Sequence, residues 1–414
     1  MKLDVKNIEK VLLIIMIIFI YVFNYQEGFG NTFANLMIIL FCLFEIVMMR
    51  KKNKIKISSE IVSFFIFECF CLFSCLYSEY QNDSLVKVKT LAILMVLLLC
   101  LYNYVTDKSK YINFLKILCI ATIISSIYII FNSNWYLGNR VSDIIGDSNL
   151  VAAYLNYGSV ILMYCISEKI INKKFGYIGL IIIAFTILIS GSRSGLVLFL
   201  IGIFMSFKMY SNKKITLKKI LTICFIPFLF IIIYNLIMNN EILYNIIGNR
   251  FVSFVEIMSG KHSSINETST QTRFLMLSLA WDRFFQTPFS ILLGKGIGTF
   301  APYFLNWGGW YAFCHNNYLE LLNGVGIIGT FFWYFPIFKI LVNLIKDNLC
   351  TKRKDSAMGI ILILEMVIIN MFVVFYYQKC EFLFLFLIIY LYNYLRNDKN
   401  AINTKDILKN DKEW

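Results

Sequence analysis

The sequence predicts an all-α, polytopic integral membrane protein with about 12 transmembrane helices and one large outer loop containing short helices. Three observations predict it. The 414-residue chain is 59% hydrophobic and only 15% charged, whereas a water-soluble domain needs roughly a quarter of its residues charged. Apolar runs such as 11–23, 91–105 and 181–190 recur along its whole length and leave no stretch for a separate soluble catalytic domain. Lys and Arg gather in short runs between the apolar segments, the positive-inside pattern.

The elements follow in order. Spans of about 20 residues fit at 11–27, 31–49, 59–78, 88–106, 112–131, 149–167, 175–191, 193–210, 218–239, 316–345, 356–377 and 380–396. Lys2, Lys6 and Lys10 precede the first run as in a signal peptide, but no small-residue cleavage site follows, so a retained first helix is expected. An even number of spans puts both termini on one face. With the N-terminus cytoplasmic, the inner segments and adjoining span ends hold 29 of the 39 basic residues, which fixes the expected orientation.

Three segments are then outward: 79–87, 132–148 and the long 240–315. The long one carries FVSFVEIM at 251–258 and TRFLMLSLAWDRFFQ at 272–286, whose patterns suit short amphipathic helices. Between them, 259–271 is polar. Residues 1–414 read as a single polytopic domain with 240–315 as its large outer loop. The net charge of +14 is mostly accounted for by span ends, so no nucleic-acid partner is expected. Cysteines such as Cys69, Cys71, Cys75, Cys100 and Cys119 lie inside apolar runs without metal-ligand spacing, and no acidic cluster marks a metal site. Neither metal nor cofactor is expected.

Few residues break the apolar pattern, and each has two readings. Arg193 lies in SGSRSG, 190–195, between two closely spaced spans. A helix start, small hydroxyl residues such as Ser192 and an arginine make an anion site, or the arginine merely snorkels at the interface. His315, Asn316 and Glu320 lie in CHNNYLELLNGVGIIG, 314–329, with Asn316 and Glu320 one helical turn apart. His315, one of two histidines, can take a proton from a hydroxyl group near neutral pH, or be structural. Gly324, Gly326 and Gly329 read as helix-packing glycines.

In the long loop, Arg273 and Trp281 fall on one helical face, followed by Arg283, Pro288 and the Gly294, Gly296, Gly298 series. The cation and ring suit a phosphate and a sugar, or a helix at headgroup level with Trp281 as its anchor. The glycines lack the strand-turn-helix setting of a dinucleotide fold. Arg140 adds a cation on the same side, and Gly146, Asp147 and Asn149 mark the start of the sixth span. Repeated polar faces for a channel, acids at mid-membrane depth for a proton-coupled transporter, and the paired carboxylates of a glycosidase are not evident. Outward cations and one histidine favour an anionic substrate.

These residues resemble the superfamily of O-antigen ligases and Wzy-type polysaccharide polymerases, most strongly over 180–345. Ser192 and Arg193 match its SR pair. His315, Asn316, Gly326 and Gly329 match the ligase-type pattern of histidine, a polar residue, nine residues, then glycine and a small residue three further on. Arg273, Trp281, Pro288, Gly294, Gly296 and Gly298 resemble its loop series. Gly146 to Asn149 resembles a glycine-containing span start, with Ser148 where proline is often seen. The resemblance implies a metal-independent inverting glycosyltransferase whose donor is an oligosaccharide on undecaprenyl diphosphate. Its other partners would be a saccharide acceptor, membrane lipid and a chain-length regulator. By resemblance, Arg193 and Arg273 bind the leaving diphosphate and His315 serves the acceptor hydroxyl, with Arg140 a secondary candidate. Ser192, Trp281, Arg283, Asn316 and Glu320 complete the expected substrate contacts. The irregular loop and the abundance of Lys, Asn and Ile favour a polymerase, the histidine pattern favours a ligase, and a non-enzymatic lipid-linked sugar transporter is the third reading.

Overall fold

The computed structural model describes residues 5–23, 29–52, 55–138, 147–210, 231–232, 234–249, 252 and 268–410. Its helices are α1 (Val5–Phe23), α2 (Phe29–Lys52), α3 (Ser59–Ser74), α4 (Gln81–Tyr104), α5 (Lys108–Asn132), α6 (Ser148–Ser167), α7 (Lys173–Ile189) and α8 (Arg193–Met209). Beyond the turns at 241–248 come α9 (Thr268–Phe284), α10 (Pro288–Leu293), α11 (Phe300–Asn306), α12 (Asn317–Thr351), α13 (Lys354–Ile369) and α14 (Lys379–Asn410). No strand occurs among the described residues. Among the described residues, five helical stretches are long and apolar enough to cross a membrane: Gly30–Lys51, Gln81–Tyr104, Lys108–Asn132, Ser148–Ser167 and Asn317–Thr351. The expected span at 218–239 falls largely outside the described residues, as do 253–258 and the polar stretch up to 267.

Two compact units emerge. The first comprises residues 1–41, 111–279 and 371–373, the second 42–110, 280–370 and 374–414.

In the first unit, α6 packs against both α7 and α8. Small residues set these approaches. A Cβ on Gly158 of α6 would lie 2.3 Å from Thr122 Oγ1 of α5, and one on Gly195 of α8 would lie 2.3 Å from Ala152 Cβ of α6. Lipid tails are as apolar as leucine, so close backbone approach and buried hydrogen bonds replace the hydrophobic effect as the glue. The Asn156 side chain supplies one such bond, donating to the Gly195 carbonyl at 3.0 Å.

In the second unit, α3 packs on α4 and α12, and α14 packs on α4 and α13. Trp333 of α12 is fully buried against Phe64 and Phe67 of α3, with ring centres 5.3 and 5.0 Å away. The buried Glu60 pairs with Lys339 at 2.9 Å and accepts from Asn393 at 3.3 Å, so its charge is compensated.

Two elements depart from the expected spans. α13 stops at Ile369, short of the expected 377, although the sequence remains apolar. The Asn317 side chain accepts the N–H groups of Phe375 and Tyr376 at 2.7 and 3.0 Å, and Asn370 caps the helix. These bonds satisfy backbone that an apolar setting would otherwise penalise. α12 is not one smooth helix: Gly326 has φ 62° and ψ −168°, a break in its ladder.

Candidate functional site

The SGSRSG segment forms a tight turn in the first unit. Gly191 takes φ 69°, which glycine adopts without a Cβ clash. Ser190 Oγ accepts the Ser192 N–H at 3.3 Å. Ser192 is the N-cap of α8, its hydroxyl oxygen accepting the Gly195 N–H at 3.1 Å. The same hydroxyl donates to the Asn149 side-chain oxygen at 2.8 Å. Asp147 caps α6 by accepting the Asn149 N–H at 2.8 Å. The turn and the start of α6, separate motifs in sequence, are thus one hydrogen-bonded piece. Arg193 is the first residue of α8 and half-buried, at the electropositive end of that helix. Arg140 lies outside the described residues.

Helix α9 carries Arg273, Trp281 and Arg283. Arg273, in the first unit, is half-buried. Trp281, in the second, is 50% exposed and meets the Phe285 ring edge-on at 5.0 Å. Arg283 is fully buried. It donates to Glu79 at 3.0 Å and lies over the Tyr303 ring at 4.5 Å. Lys295 reaches the other Glu79 oxygen at 3.0 Å and also bonds Gln286. Burial pushes the Glu79 carboxyl up, but the hydrogen bonds from Lys295 and Arg283 outweigh it and hold the group below its ordinary value. Arg283 Nε and Nη1 have no hydrogen-bond acceptor among the described residues, so this guanidinium keeps donors for an anion. Glu79, Lys295 and Tyr303 were not singled out by sequence reading. Their partners lie more than 200 residues away along the chain in the case of Glu79, and only its place in the polar SEYQND turn hinted at it.

The glycine series has a backbone purpose. Where α12 breaks, the Asn323 and Gly324 carbonyls accept the N–H groups of Lys295 and Gly296 at 2.8 and 2.9 Å. A Cβ on Gly294 would sit 2.5 Å from Gly324 backbone, and one on Gly326 would sit 2.3 Å from the Leu292 carbonyl oxygen. The two segments are spliced through their backbones, and only glycine permits that contact.

His315 begins the final piece. It adopts φ 53°, a left-handed conformation. The other two described non-glycine residues with positive φ, Lys169 and Lys352, follow helix ends, where this conformation is common; His315 instead precedes a helix. Such a residue costs about 1–3 kcal/mol and persists only when its surroundings impose it.

Those surroundings are on hand. Glu320, 1% exposed, accepts the Cys314 N–H at 3.2 Å. The Cys314 thiol, pushed far up by burial and then by the Glu320 charge, is neutral and donates to the Asn316 carbonyl at 3.0 Å. Asn316 is the N-cap of α12, accepting the Leu319 N–H at 3.0 Å. Tyr311 donates to Asp83 at 2.8 Å, and burial followed by that bond raises its phenol well above the usual range.

The second unit therefore brings His315, Asn316, Glu320, Arg283 and Trp281 into one unit. Arg193, Ser192 and Arg273 belong to the first. Asn316 and Glu320 have their side chains committed to holding the His315 turn, which supplies a physical reason for their sequence spacing.

No curated protein matches the chain. Residues 178–334 match the family model described as O-Antigen ligase. The matched stretch runs from α7 to the middle of α12 and includes the Ser192 cap, Arg193, all of α9, the glycine splice and His315. Over that stretch the chain is similar to the O-antigen ligase family of membrane proteins.

Proposed function

We propose that the protein is a Wzy-type polysaccharide polymerase, joining undecaprenyl-diphosphate-linked repeat units at the outer face of a bacterial inner membrane. The family match over 178–334, which encloses Arg193, Arg273 and His315, supports the transferase chemistry common to polymerase and ligase, and the irregular 240–315 loop with the abundance of Lys, Asn and Ile favours the polymerase. In the proposed reaction the acceptor sugar hydroxyl attacks the anomeric carbon of the donor. Its proton passes to the His315 imidazole, the new glycosidic bond forms with inversion, and the bond to the phosphate oxygen breaks. Undecaprenyl diphosphate leaves with both phosphates. Arg193 and Arg273 neutralise it through paired N–H donors, an interaction that strengthens as charge develops on the leaving group. A histidine with its ordinary pKa near 6.5 suits the proton transfer. Arg283, with unused donors, is assigned to the substrate's anionic or hydroxyl groups, Trp281 to a sugar face, and Arg140 to a secondary anion contact. No metal is needed for these steps. The proposed topology has twelve spans, cytoplasmic termini and an outward 240–315 loop.

A ligase that passes the glycan to lipid A core is the second reading. The His315, Asn316, Gly326, Gly329 pattern and the description of the matched family favour it. The test common to both is substitution in cells: Arg193→Ala and His315→Ala should each abolish polysaccharide product while the protein accumulates normally. Normal product from both variants removes the mechanism.

A further inference from the structure

Lys87 stands in the second turn of α4, within the candidate span Gln81–Tyr104, and nothing in the proposed chemistry uses it. An ionisable group in such a place is costly unless it finds water or partners, so its retention asks for a reason. Its partners are specific. Nζ lies 3.5 Å from the ring centre of Tyr377 and 4.2 Å from that of Phe313. The carboxylates that favour its charge are Glu320 and Asp83. Space for its stem comes from Gly298, where a Cβ would fall 2.4 Å from Lys87 Cγ. The side chain is therefore laid along the Gly296–Thr299 turn and ends between two rings, an attraction of cation for aromatic face that desolvation strengthens.

Phe313 is two residues before His315, and Cys314, whose N–H Glu320 holds, is one before. Lys87 and Glu320 thus grip successive residues on the N-terminal side of a histidine in a strained backbone conformation. We propose that Lys87, acting with Glu320, is a positioning residue for His315: the ammonium clamps Phe313 and Tyr377 and so fixes the turn that presents the imidazole. The inference rests on the transferase reading for His315. A side chain held in this way lowers the cost of reaching the reactive geometry, and a misplacement of about 1 Å can cost on the order of 100-fold in rate.

The test uses the full-length protein carrying Lys87→Met, which keeps the apolar stem, or Lys87→Arg, which keeps a cation over the rings. Two readouts are taken: hydrogen–deuterium exchange of peptides covering 311–316, and kcat with donor KM in a lipid-linked oligosaccharide transfer assay. The expected result is faster exchange at 311–316 in Lys87→Met and a kcat lower by about 10- to 100-fold, with donor KM changed by less than about twofold. Lys87→Arg should restore both. Unchanged exchange, an unchanged kcat, or an arginine variant as impaired as the methionine one overturns the proposal. If Lys87→Met does not accumulate, Phe313→Leu removes the ring and is judged by the same criteria. A wild-type protein that transfers to no acceptor sinks the transferase reading instead, while the exchange data still decide whether Lys87 holds the turn.

Discussion

The Ser192 hydroxyl donates to the Asn149 side-chain oxygen at 2.8 Å, and its oxygen at the same time caps α8 through the Gly195 N–H at 3.1 Å. One atom therefore fixes both where α8 begins and where it sits on α6. Ser192→Ala should cost about 1–2 kcal/mol by loss of the cap and of a buried hydrogen bond. In a double-mutant cycle with Asn149→Ala, read by thermal unfolding in detergent, the two losses should fall short of additive. Strict additivity means the bond between them contributes nothing.

Glu79 faces a fully buried guanidinium in Arg283 and the Lys295 ammonium. Glu79→Gln removes the carboxylate that is hydrogen-bonded to that guanidinium and should destabilise the second unit by about 2 kcal/mol at neutral pH. Because the folded-state pKa of Glu79 is depressed, its stabilising contribution is complete above the unfolded value of about 4.3 and is lost as pH falls through the lower folded value. Melting curves of the wild type should therefore drop more steeply below about pH 4.3 than those of Glu79→Gln. Parallel pH profiles rule the linkage out.

Gly326 and Gly308 both have positive φ, 62° and 105°, yet only Gly326 has backbone against it, 2.3 Å from where a Cβ would go; nothing lies within 4 Å at Gly308. Gly308→Ala should cost only backbone strain of about 1–3 kcal/mol, whereas Gly326→Ala must also push the splice apart. Fluorescence-detected size-exclusion profiles should show a folded Gly308→Ala peak and a strongly reduced Gly326→Ala peak. Equal profiles would mean that the break in α12 has no partner to displace.

Leu305 on α11 is 47% exposed, while Cys350 lies exposed near the far end of α12. With the proposed orientation, a membrane-impermeant maleimide added to intact spheroplasts should label Leu305→Cys and leave Cys350 unlabelled until the membrane is opened. The reverse pattern puts the loop on the cytoplasmic side and separates it from the donor.

Much of the fold was legible because apolar length and Gly/Ser punctuation are local signals. The helix at 272–286 appears as α9, and the turn before Arg193 lies where the glycines and serines placed it. What escaped was set by distant partners. The apolar MFVVFYY after Asn370 reads as continued helix, yet Asn317 draws its backbone into a turn. The Gly294, Gly296, Gly298 series resembles the family's loop series, but the backbone splice of Lys295 and Gly296 to the Asn323 and Gly324 carbonyls is not legible in it. Arg283 is expected from sequence only as a substrate contact, because its ion-pair partner Glu79 stands 204 residues away. Sequence spacing reveals which residues share a helix face, but not which side chains already have a commitment elsewhere.

The most direct measurement is a reaction in detergent or nanodiscs with purified protein and a lipid-linked oligosaccharide as the sole sugar substrate. The polymerase account predicts a ladder of longer saccharides together with released undecaprenyl diphosphate, both lost with Arg193→Ala and His315→Ala. Transport of the lipid-linked sugar across a vesicle membrane with no new glycosidic bond and no released diphosphate, even when lipid A core is supplied, would contradict it.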